Sequence, residues 1–250
     1  RCLKGSLALS SLIALESSVH RFFGLYRDTV DVFISPSHFV IQKFVEWGWP
    51  RDVMTYVPNF VEVDEFRPSD GDNGRFVFVG RLSREKGLAT MIEAAADAGA
   101  AIDLVGTGPD EARLKELAAK RGGDVIFHGF QKGDALWSII RASRALVLPS
   151  EWYENAPISL LEAFATSKPV IGAAIGGIPE MITDGVNGTP QQKMMNSAKY
   201  AGKNNNNPNN GCSMQKILPL MDGSRGLDDI VTQVGRGLTL GWQNRRLYVR

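Results

Sequence analysis

Cysteine is scarce in this chain of 250 residues, which contains only Cys2 and Cys212. Two cysteines so far apart form neither a disulfide framework nor a metal-binding spacing, and their scarcity fits a reducing compartment. Histidine is scarce as well, and His20, His38 and His128 are scattered along the sequence, so each is expected to be structural. The composition therefore argues against a disulfide-stapled domain and against a histidine-rich metal centre.

The chain also lacks an excess of charge and a long apolar run. Its 28 basic and 27 acidic residues give a net charge of +1, so no strong positive field favours nucleic acid. No stretch reaches the roughly 18 apolar residues of a membrane span. The apolar run at residues 7–15 superficially resembles a signal peptide, but no convincing cleavage site follows it. We favour a helix that belongs to a truncated upstream domain.

Short apolar runs alternate with segments of helical period between residues 75 and 188. Strands are predicted at residues 76–79, 102–105, 125–127, 146–148 and 169–172. Helices are predicted at residues 88–98, 110–120, 134–142, 157–164 and 179–183. This alternation is typical of a parallel sheet covered on both faces. We therefore predict an α/β fold with a Rossmann-like parallel sheet of at least five strands.

The flanking segments have a different character. Before the predicted sheet, residues 1–26 have a helical period, residues 31–35 and 54–61 predict strands, and residues 37–47 predict a helix. A polar turn cluster, SDGDNG, then marks a boundary at residues 69–74. After Gly188 the sequence becomes polar and includes the run KNNNNPNNG, which cannot bury a core.

The segment SEWYENAPISLLEAFA, at residues 150–165, carries the clearest functional signal. Seven residues separate its two glutamates, Glu154 and Glu162, and Pro157 lies between them, where proline favours the start of a helix. At about 1.5 Å per helical residue, the two carboxylates would lie roughly 8–12 Å apart. That separation suits the two ends of one extended ligand.

The start of this helix is also a candidate anion site. A short apolar strand, RALVLPS, precedes it, so the helix would begin near the carboxyl end of a strand, where open α/β sheets bind ligands. The N–H groups of Ile158, Ser159 and Leu160 would lie in the first turn and could bind an anion.

The two glutamates resemble the E-x7-E signature of the retaining glycosyltransferases of family 4, which have the GT-B architecture of two facing Rossmann-like domains. Four other segments are similar to that family in the expected order: FVFVGRLSREKG, LVGTGPDEARL, VIFHGF and IGGIPEMITDGVNG. The match covers about residues 31–188. The resemblance implies the C-terminal, nucleotide-sugar-binding half of such an enzyme, and thus a fragment.

The resemblance also implies a role for individual residues. Arg81 and Lys86 would bind the diphosphate of the donor and offset the charge of the leaving group. Glu154 would contact the transferred sugar near the reacting carbon, and Glu162 would accept hydrogen bonds from the ribose hydroxyls. Phe130 would begin the loop that binds the base. The other donor-binding residues implied are Gly80, Gly106, Asn155, Ile158 and Leu161.

Each of these motifs has a competing interpretation. Arg81 and Lys86 could be solvated surface charges. Glu154 and Glu162 could be a helix-terminal charge and a surface charge, or a glycosidase pair, which is disfavoured because Glu162 should face a nucleoside pocket. The glycine pattern at Gly106 could serve a tight turn alone. The Asp-Gly-Asp sequence in the polar turn imitates the D-x-D metal motif, but its position before the first strand argues against metal binding.

The expected activity is transfer of a hexose from a nucleotide diphosphate-sugar to a glycan, lipid or small-molecule acceptor, with retention of configuration. Neither a metal nor another cofactor is expected. The main alternative is a non-catalytic nucleotide-sugar-binding module left by truncation, and a third is an epimerase or phosphorylase of the same architecture. No nucleic-acid partner is expected. The expected location is the cytoplasm, with peripheral membrane contact left open.

The resemblance also divides the chain into three parts. Residues 1–68 are interpreted as the remnant of an N-terminal acceptor domain and its linker, and residues 69–188 as the nucleotide-sugar-binding domain. Residues 189–250 are interpreted as an atypical tail without a stable core.

Overall fold

The computed structural model describes residues 6–184, 186–191, 241–243 and 246–248. The N-terminal part consists of helices and short strands. They are α1 (Leu7–Phe22), α2 (Leu25–Thr29), β1 (Phe33–Ser35), α3 (His38–Glu46), β2 (Met54–Tyr56) and β3 (Val61–Glu62). Strands β1 and β2 pair in parallel. The strand predicted at residues 54–61 is therefore two separate strands, with Pro58 between them.

A parallel sheet of six strands follows. Its strands are β4 (Phe76–Val79), β5 (Ile102–Val105), β6 (Val125–Gly129), β7 (Ala145–Leu148), β8 (Val170–Ala173) and β9 (Gly188–Gln191). The helices between them are α4 (Leu88–Ala98), α5 (Glu111–Arg121), α6 (Gly133–Ala142), α7 (Ile158–Ala165) and α8 (Ile178–Met181). Every pair of neighbouring strands in this sheet is parallel. The predicted α/β fold with a parallel sheet is confirmed.

Burial explains why these strands read as continuous apolar runs. All residues of β5, β7 and β8 are buried, because helices cover both faces of a doubly wound sheet. Asp103 is the polar exception in β5, and its carboxylate is satisfied by Arg75 at 3.0 Å and by His128 at 3.0 Å. A buried carboxylate is stable only with such partners.

The order of the strands locates a candidate binding edge. Across the sheet the order is β6-β5-β4-β7-β8-β9, so the chain builds outward from β4 to β6 and then returns to β7. The carboxyl ends of β4 and β7 therefore lie side by side where the order reverses. In open α/β sheets, this reversal point opens a crevice that binds ligands.

The end of the sheet differs from the predicted boundary. Strand β9 continues the sheet to Gln191, a few residues beyond Gly188. Two strands from the predicted tail, β10 (Gly241–Gln243) and β11 (Arg246–Tyr248), form a hairpin, and β11 pairs with β3. The asparagine-rich run lies outside the described residues, so the three-part division of the chain stays a prediction.

A buried lysine fixes the polar turn before β4. The Lys168 side chain is 1% exposed, and its Nζ donates to the carbonyl oxygen of Gly71 at 2.6 Å. Burial lowers the pKa of Lys168, and the nearby carboxylates Asp72 and Asp70 partly oppose that shift. The acidic residues of the turn therefore balance the charge of a buried ammonium group.

Helix α1 buries none of its residues. Its N-terminus is capped by Ser6, whose hydroxyl accepts from the N–H of Leu9 at 3.4 Å. Within the described parts of the chain, none of the helices is both long and apolar enough to cross a bilayer.

Candidate functional site

The loops after β4 and β7 meet at the reversal point, and each supplies a charged side chain. Lys86 donates from Nζ to Oε1 of Glu154 at 2.6 Å. Ser150 donates to the same oxygen at 2.7 Å. The Lys86 and Glu154 side chains are 26% and 19% exposed, so a ligand can reach both. The structure thus joins two of the residues predicted to share a cleft.

Backbone contacts fix these two loops against each other. The N–H of Glu151 donates to the carbonyl oxygen of Glu85 at 2.9 Å. Gly87 has a φ of 68°, which favours glycine, and a Cβ at this position would overlap the carbonyl oxygen of Pro149. The contact between the two charged side chains therefore rests on a packed backbone.

Arg81 occupies the same loop as Lys86, with an exposed side chain. A hydrogen bond from Ser83 is the main cause of the lowered pKa of Glu85, and the charges of Arg81 and Lys86 add to it. Among the described residues, no hydrogen bond or ion pair connects Arg81 to Glu154. The guanidinium group is instead accessible to an anion from solution.

The loop after β5 packs against the loop after β4. A Cβ at Gly106 would overlap the carbonyl oxygen of Gly80, and one at Gly108 would overlap that of Leu82. The N–H of Leu82 also donates to the carbonyl oxygen of Thr107 at 3.0 Å. This packing alone explains why both positions after β5 are glycine. Ligand contacts at Gly80 and Gly106 stay a prediction.

Glu162 lies in a different environment from Glu154. Its carboxyl group is largely buried on α7, and burial raises its pKa. The indole N–H of Trp137 lies near enough to favour the charged carboxylate, although it does not reach hydrogen-bond geometry. Within the described residues, no direct bond joins Glu162 to Lys86 or Glu154. The predicted convergence of Arg81, Lys86, Glu154 and Glu162 on one cleft, with the two glutamates at opposite ends, therefore stays a prediction.

Replacing Glu162 with glutamine is expected to stabilise the free protein by about 1 kcal/mol at pH 7. A raised pKa means that the folded state favours the neutral acid, so the charged carboxylate destabilises it above that pKa. The advantage of glutamine should disappear as the pH falls below the ordinary value of 4.5, where both folded and unfolded states are protonated. Urea unfolding of both proteins between pH 3 and pH 8 measures this difference.

Glu111→Gln is the matched control, since it removes a surface carboxylate that pairs with Lys115 at 2.7 Å. Its effect should stay within about 0.5 kcal/mol at every pH. A stability gain in Glu162→Gln that persists undiminished at pH 3 would attribute the effect to packing and contradict the electrostatic explanation.

The start of α7 partly differs from the prediction. Pro157 is the residue before the helix, and its carbonyl oxygen already accepts from the N–H of Leu160 at 3.2 Å. The first two N–H groups, of Ile158 and Ser159, are thus the ones available to an anion. Leu161 is 1% exposed and packed in the core, and its predicted contact with a donor stays a prediction.

Two other predicted residues lie at the surface. Phe130 follows β6 and is 71% exposed. Asn155 is exposed too, but its side chain already accepts a hydrogen bond from Ser37 at 2.5 Å. The structure thus gives Asn155 a structural partner in addition to its predicted contact with a donor.

Some residues around Glu154 were missed from the sequence. Ser150, Gly176 and Gly177 were not among the predicted site residues. The N–H of Gly177 donates to the carbonyl oxygen of Glu154 at 2.7 Å, and a Cβ at either glycine would overlap the backbone of residues 154–155. The paired glycines before Pro179 were the available signal, because adjacent glycines often mark a close approach of two backbones.

A comparison with known families agrees with this geometry. The family model described as glycosyl transferases group 1 matches residues 62–202, more than half of the chain. The chain belongs to the glycosyl transferases group 1. The matched range includes the whole six-stranded sheet and both glutamates, and it extends past the predicted boundary at Gly188.

Curated relatives of this group 1 glycosyl transferase include two uncharacterized glycosyltransferases of Methanocaldococcus jannaschii. One is 29% identical over 216 residues, covering 85% of this chain and 56% of the relative. The other is 35% identical over 132 residues, covering 49% of this chain and 34% of the relative. The O-antigen chain mannosyltransferase C of Escherichia coli is 34% identical over 116 residues, covering 46% and 31%. The chain thus spans between 31% and 56% of the length of these relatives.

Solved structures support the GT-B fold of this group 1 glycosyl transferase. Anabaena HepE in complex with UDP superposes with a TM-score of 0.65 at 19% identity, covering 85% of this chain and 60% of HepE. The pneumococcal O-GlcNAc transferase GtfA in complex with UDP and GlcNAc also gives a TM-score of 0.65 at 19% identity, covering 87% and 44%. At this level of identity the likeness concerns the fold.

Metal ligands are not clustered in the part of this glycosyl transferase that the structure describes, where no group of three or more His, Cys, Asp or Glu side chains could hold an ion. In the Asp-Gly-Asp turn, the Asp72 carboxylate accepts from the N–H of Gly74 at 2.7 Å. The resemblance of this turn to a metal motif is therefore explained by turn geometry and by the nearby Lys168.

Proposed function

We propose that this chain is the nucleotide-sugar-binding half of a retaining, metal-independent glycosyltransferase of family 4. It would transfer a hexose from a nucleotide diphosphate-sugar to a glycan, lipid or small-molecule acceptor. The observation that carries the proposal is the Lys86–Glu154 pair at the reversal point of the sheet. The pair places an ammonium group directly beside a carboxylate. The ammonium group suits an anionic diphosphate, and the carboxylate suits the hydroxyls of a sugar joined to it.

The diphosphate would lie between the β4 loop and the start of α7. Arg81 and Lys86 supply positive charge, and the N–H groups of Ile158 and Ser159 supply neutral donors. When the bond between the anomeric carbon and the diphosphate oxygen breaks, the electron pair leaves with the diphosphate. Groups that stabilise this charge typically lower such a barrier by about 3–4 kcal/mol each.

The two glutamates would contact the two ends of the donor. Glu154 would accept from hydroxyls of the transferred sugar, and Glu162 from the ribose hydroxyls at the other end. The UDP bound in the structure of HepE makes UDP and its sugars the first probes to test. Because relatives are longer, an N-terminal acceptor domain formed with residues 1–68 is part of the proposal.

The second candidate function is a nucleotide-sugar-binding module without catalysis. This candidate needs only groups on the donor side of the site, such as Lys86 and Glu154, which the described residues contain. Incubation of the chain with radiolabelled nucleotide-sugars separates the two. Transfer or hydrolysis supports the enzyme, whereas binding without turnover supports the module.

Replacing Glu162 with alanine is expected to lower the affinity for nucleotide and for nucleotide-sugar alike, by roughly 10- to 100-fold, because both ligands contain the ribose. Alanine at Glu154 should weaken the nucleotide-sugar by a similar factor and leave the bare nucleotide nearly unchanged. Calorimetric titration with UDP and UDP-glucose, and with GDP and GDP-mannose, measures both effects. Equal losses in the two variants would contradict the assignment of opposite ends, and unchanged binding in both would exclude this site.

A further inference from the structure

Three segments of the chain meet beside Glu154, and one of them precedes the sheet. They are the start of α3, the loop at residues 154–156 and the segment at residues 176–180, which includes most of α8. Ser37 is 1% exposed at this junction, and its Cβ would lie 2.9 Å from a Cβ added at Gly177. The start of α3 and the backbone at Gly177 are therefore in close contact.

Glu180 attaches α3 to the sheet domain. Its carboxylate accepts from the N–H of His38 at 2.8 Å and also from the N–H of Phe39. These are N–H groups of the first helical turn, which lack partners inside the helix. A carboxylate also interacts favourably with the positive end of the helix dipole. Two charge-assisted hydrogen bonds thus hold the N-terminus of α3.

The loop that carries Glu154 accepts hydrogen bonds from side chains that precede the sheet and from the backbone of Gly177. Ser37 donates to Oδ1 of Asn155 at 2.5 Å, and the Asn59 amide donates to the carbonyl oxygen of Ala156 at 2.8 Å. Gly177 donates to the carbonyl oxygen of Glu154. Each of three consecutive residues in this loop is therefore held by at least one hydrogen bond from another segment.

We propose that Ser37 and Glu180 are positioning residues for Glu154. By holding α3 against the loop at residues 154–156, they keep the Glu154 carboxylate where Lys86 and Ser150 contact it and where a donor sugar would bind. This inference rests on the proposed function, because it assigns the two residues to the sugar end of that site. Neither residue would touch the ligand.

Loss of either contact should affect the sugar end selectively. Glu180→Ala removes the acceptors of the His38 and Phe39 N–H groups, and Ser37→Ala removes the bond to Asn155. In both variants, the affinity for the nucleotide-sugar is expected to fall about tenfold and the affinity for the bare nucleotide less than about twofold. Glu180→Gln keeps an acceptor oxygen and should recover part of the loss.

Matched controls separate positioning from general destabilisation. Ser37 also caps α3 through the N–H of Val40, so Ser6→Ala, which removes the equivalent cap of α1, is its control. Glu46→Ala removes an exposed glutamate at the other end of α3 and is the control for Glu180→Ala. Neither control should change the ratio of nucleotide-sugar to nucleotide affinity.

Two measurements on the full chain decide the proposal. Calorimetry gives the ratio of nucleotide-sugar affinity to nucleotide affinity. It is measured with UDP and UDP-glucose, and again with GDP and GDP-mannose. Hydrogen–deuterium exchange of the free protein gives the protection of residues 150–158, which should fall in Glu180→Ala and Ser37→Ala but not in the controls. Equal weakening of both ligands, or unchanged protection of this peptide, would overturn the proposal. If the wild-type chain binds no ligand of either pair, the proposed function fails, and exchange alone decides whether these residues position the loop.

Discussion

Replacing Lys86 with alanine is expected to weaken the binding of UDP or GDP by about 10- to 100-fold, while the corresponding nucleoside binds nearly as before. The ammonium group lies on the loop after β4, where the proposed diphosphate would bind. A nucleoside lacks the diphosphate and therefore its negative charge. The variant also removes a hydrogen bond from Glu154 and leaves that carboxylate with Ser150 as its described partner. Calorimetric titration with nucleoside, nucleoside diphosphate and nucleotide-sugar measures the three affinities.

Lys115→Ala is the matched control, because Lys115 forms an ion pair of 2.7 Å with Glu111 on the surface of α5. Its removal should leave all three affinities within a factor of about two. If Lys86→Ala weakened the nucleoside as strongly as the diphosphate, the proposed position of the diphosphate would be wrong. An equal loss in Lys115→Ala would indicate a general electrostatic effect.

Gly177→Ala is expected to have the largest effect on stability, a loss of about 2–3 kcal/mol. A Cβ at this position would overlap the carbonyl oxygen of Asn155, which is backbone and cannot rotate away. For a chain of this size, the loss corresponds to a decrease in Tm of roughly 4–12 °C. Because relief of the overlap must move residues 154–155, nucleotide-sugar binding should fall as well. Thermal unfolding and calorimetry measure the two effects.

Gly71→Ala provides the comparison, since a Cβ at Gly71 would meet open space and its φ lies outside the left-handed region. Its effect should stay within about 0.5 kcal/mol. Stability of Gly177→Ala equal to that of Gly71→Ala would show that the two backbones are not in close contact.

Local sequence pattern was sufficient to predict most of the sheet domain. Helix α4 and strands β4 and β5 begin and end where their apolar pattern predicts. The two strands are buried almost throughout, and α4 buries one apolar face. Strand β9 was missed because Gly188–Gln191 contains no apolar run. These residues form a strand because their backbone pairs with β8. A strand defined by its neighbour has no signature in its own sequence.

The candidate site was predictable only where a motif carries the chemistry. The spacing of the two glutamates identified Glu154, and the loop after β4 identified Lys86. The environment of Glu162 beside Trp137 could not be predicted, because it depends on how α6 packs against α7. The same holds for the bonds of Ser37 to Asn155 and of Glu180 to α3, which join residues more than 100 positions apart.

The reversal of strand order also determines when this site can form during synthesis. Strands β4, β5 and β6 pair in the order in which they leave the ribosome, but β4 receives β7 only after the chain has returned across the sheet. Until then the edge of β4, including Phe76 and Val77, has no neighbour on that side, and Lys86 has no carboxylate to meet. Such non-local pairing is slow compared with local contacts. We therefore expect the binding crevice to form late, once β7 has been synthesised and can pair with β4.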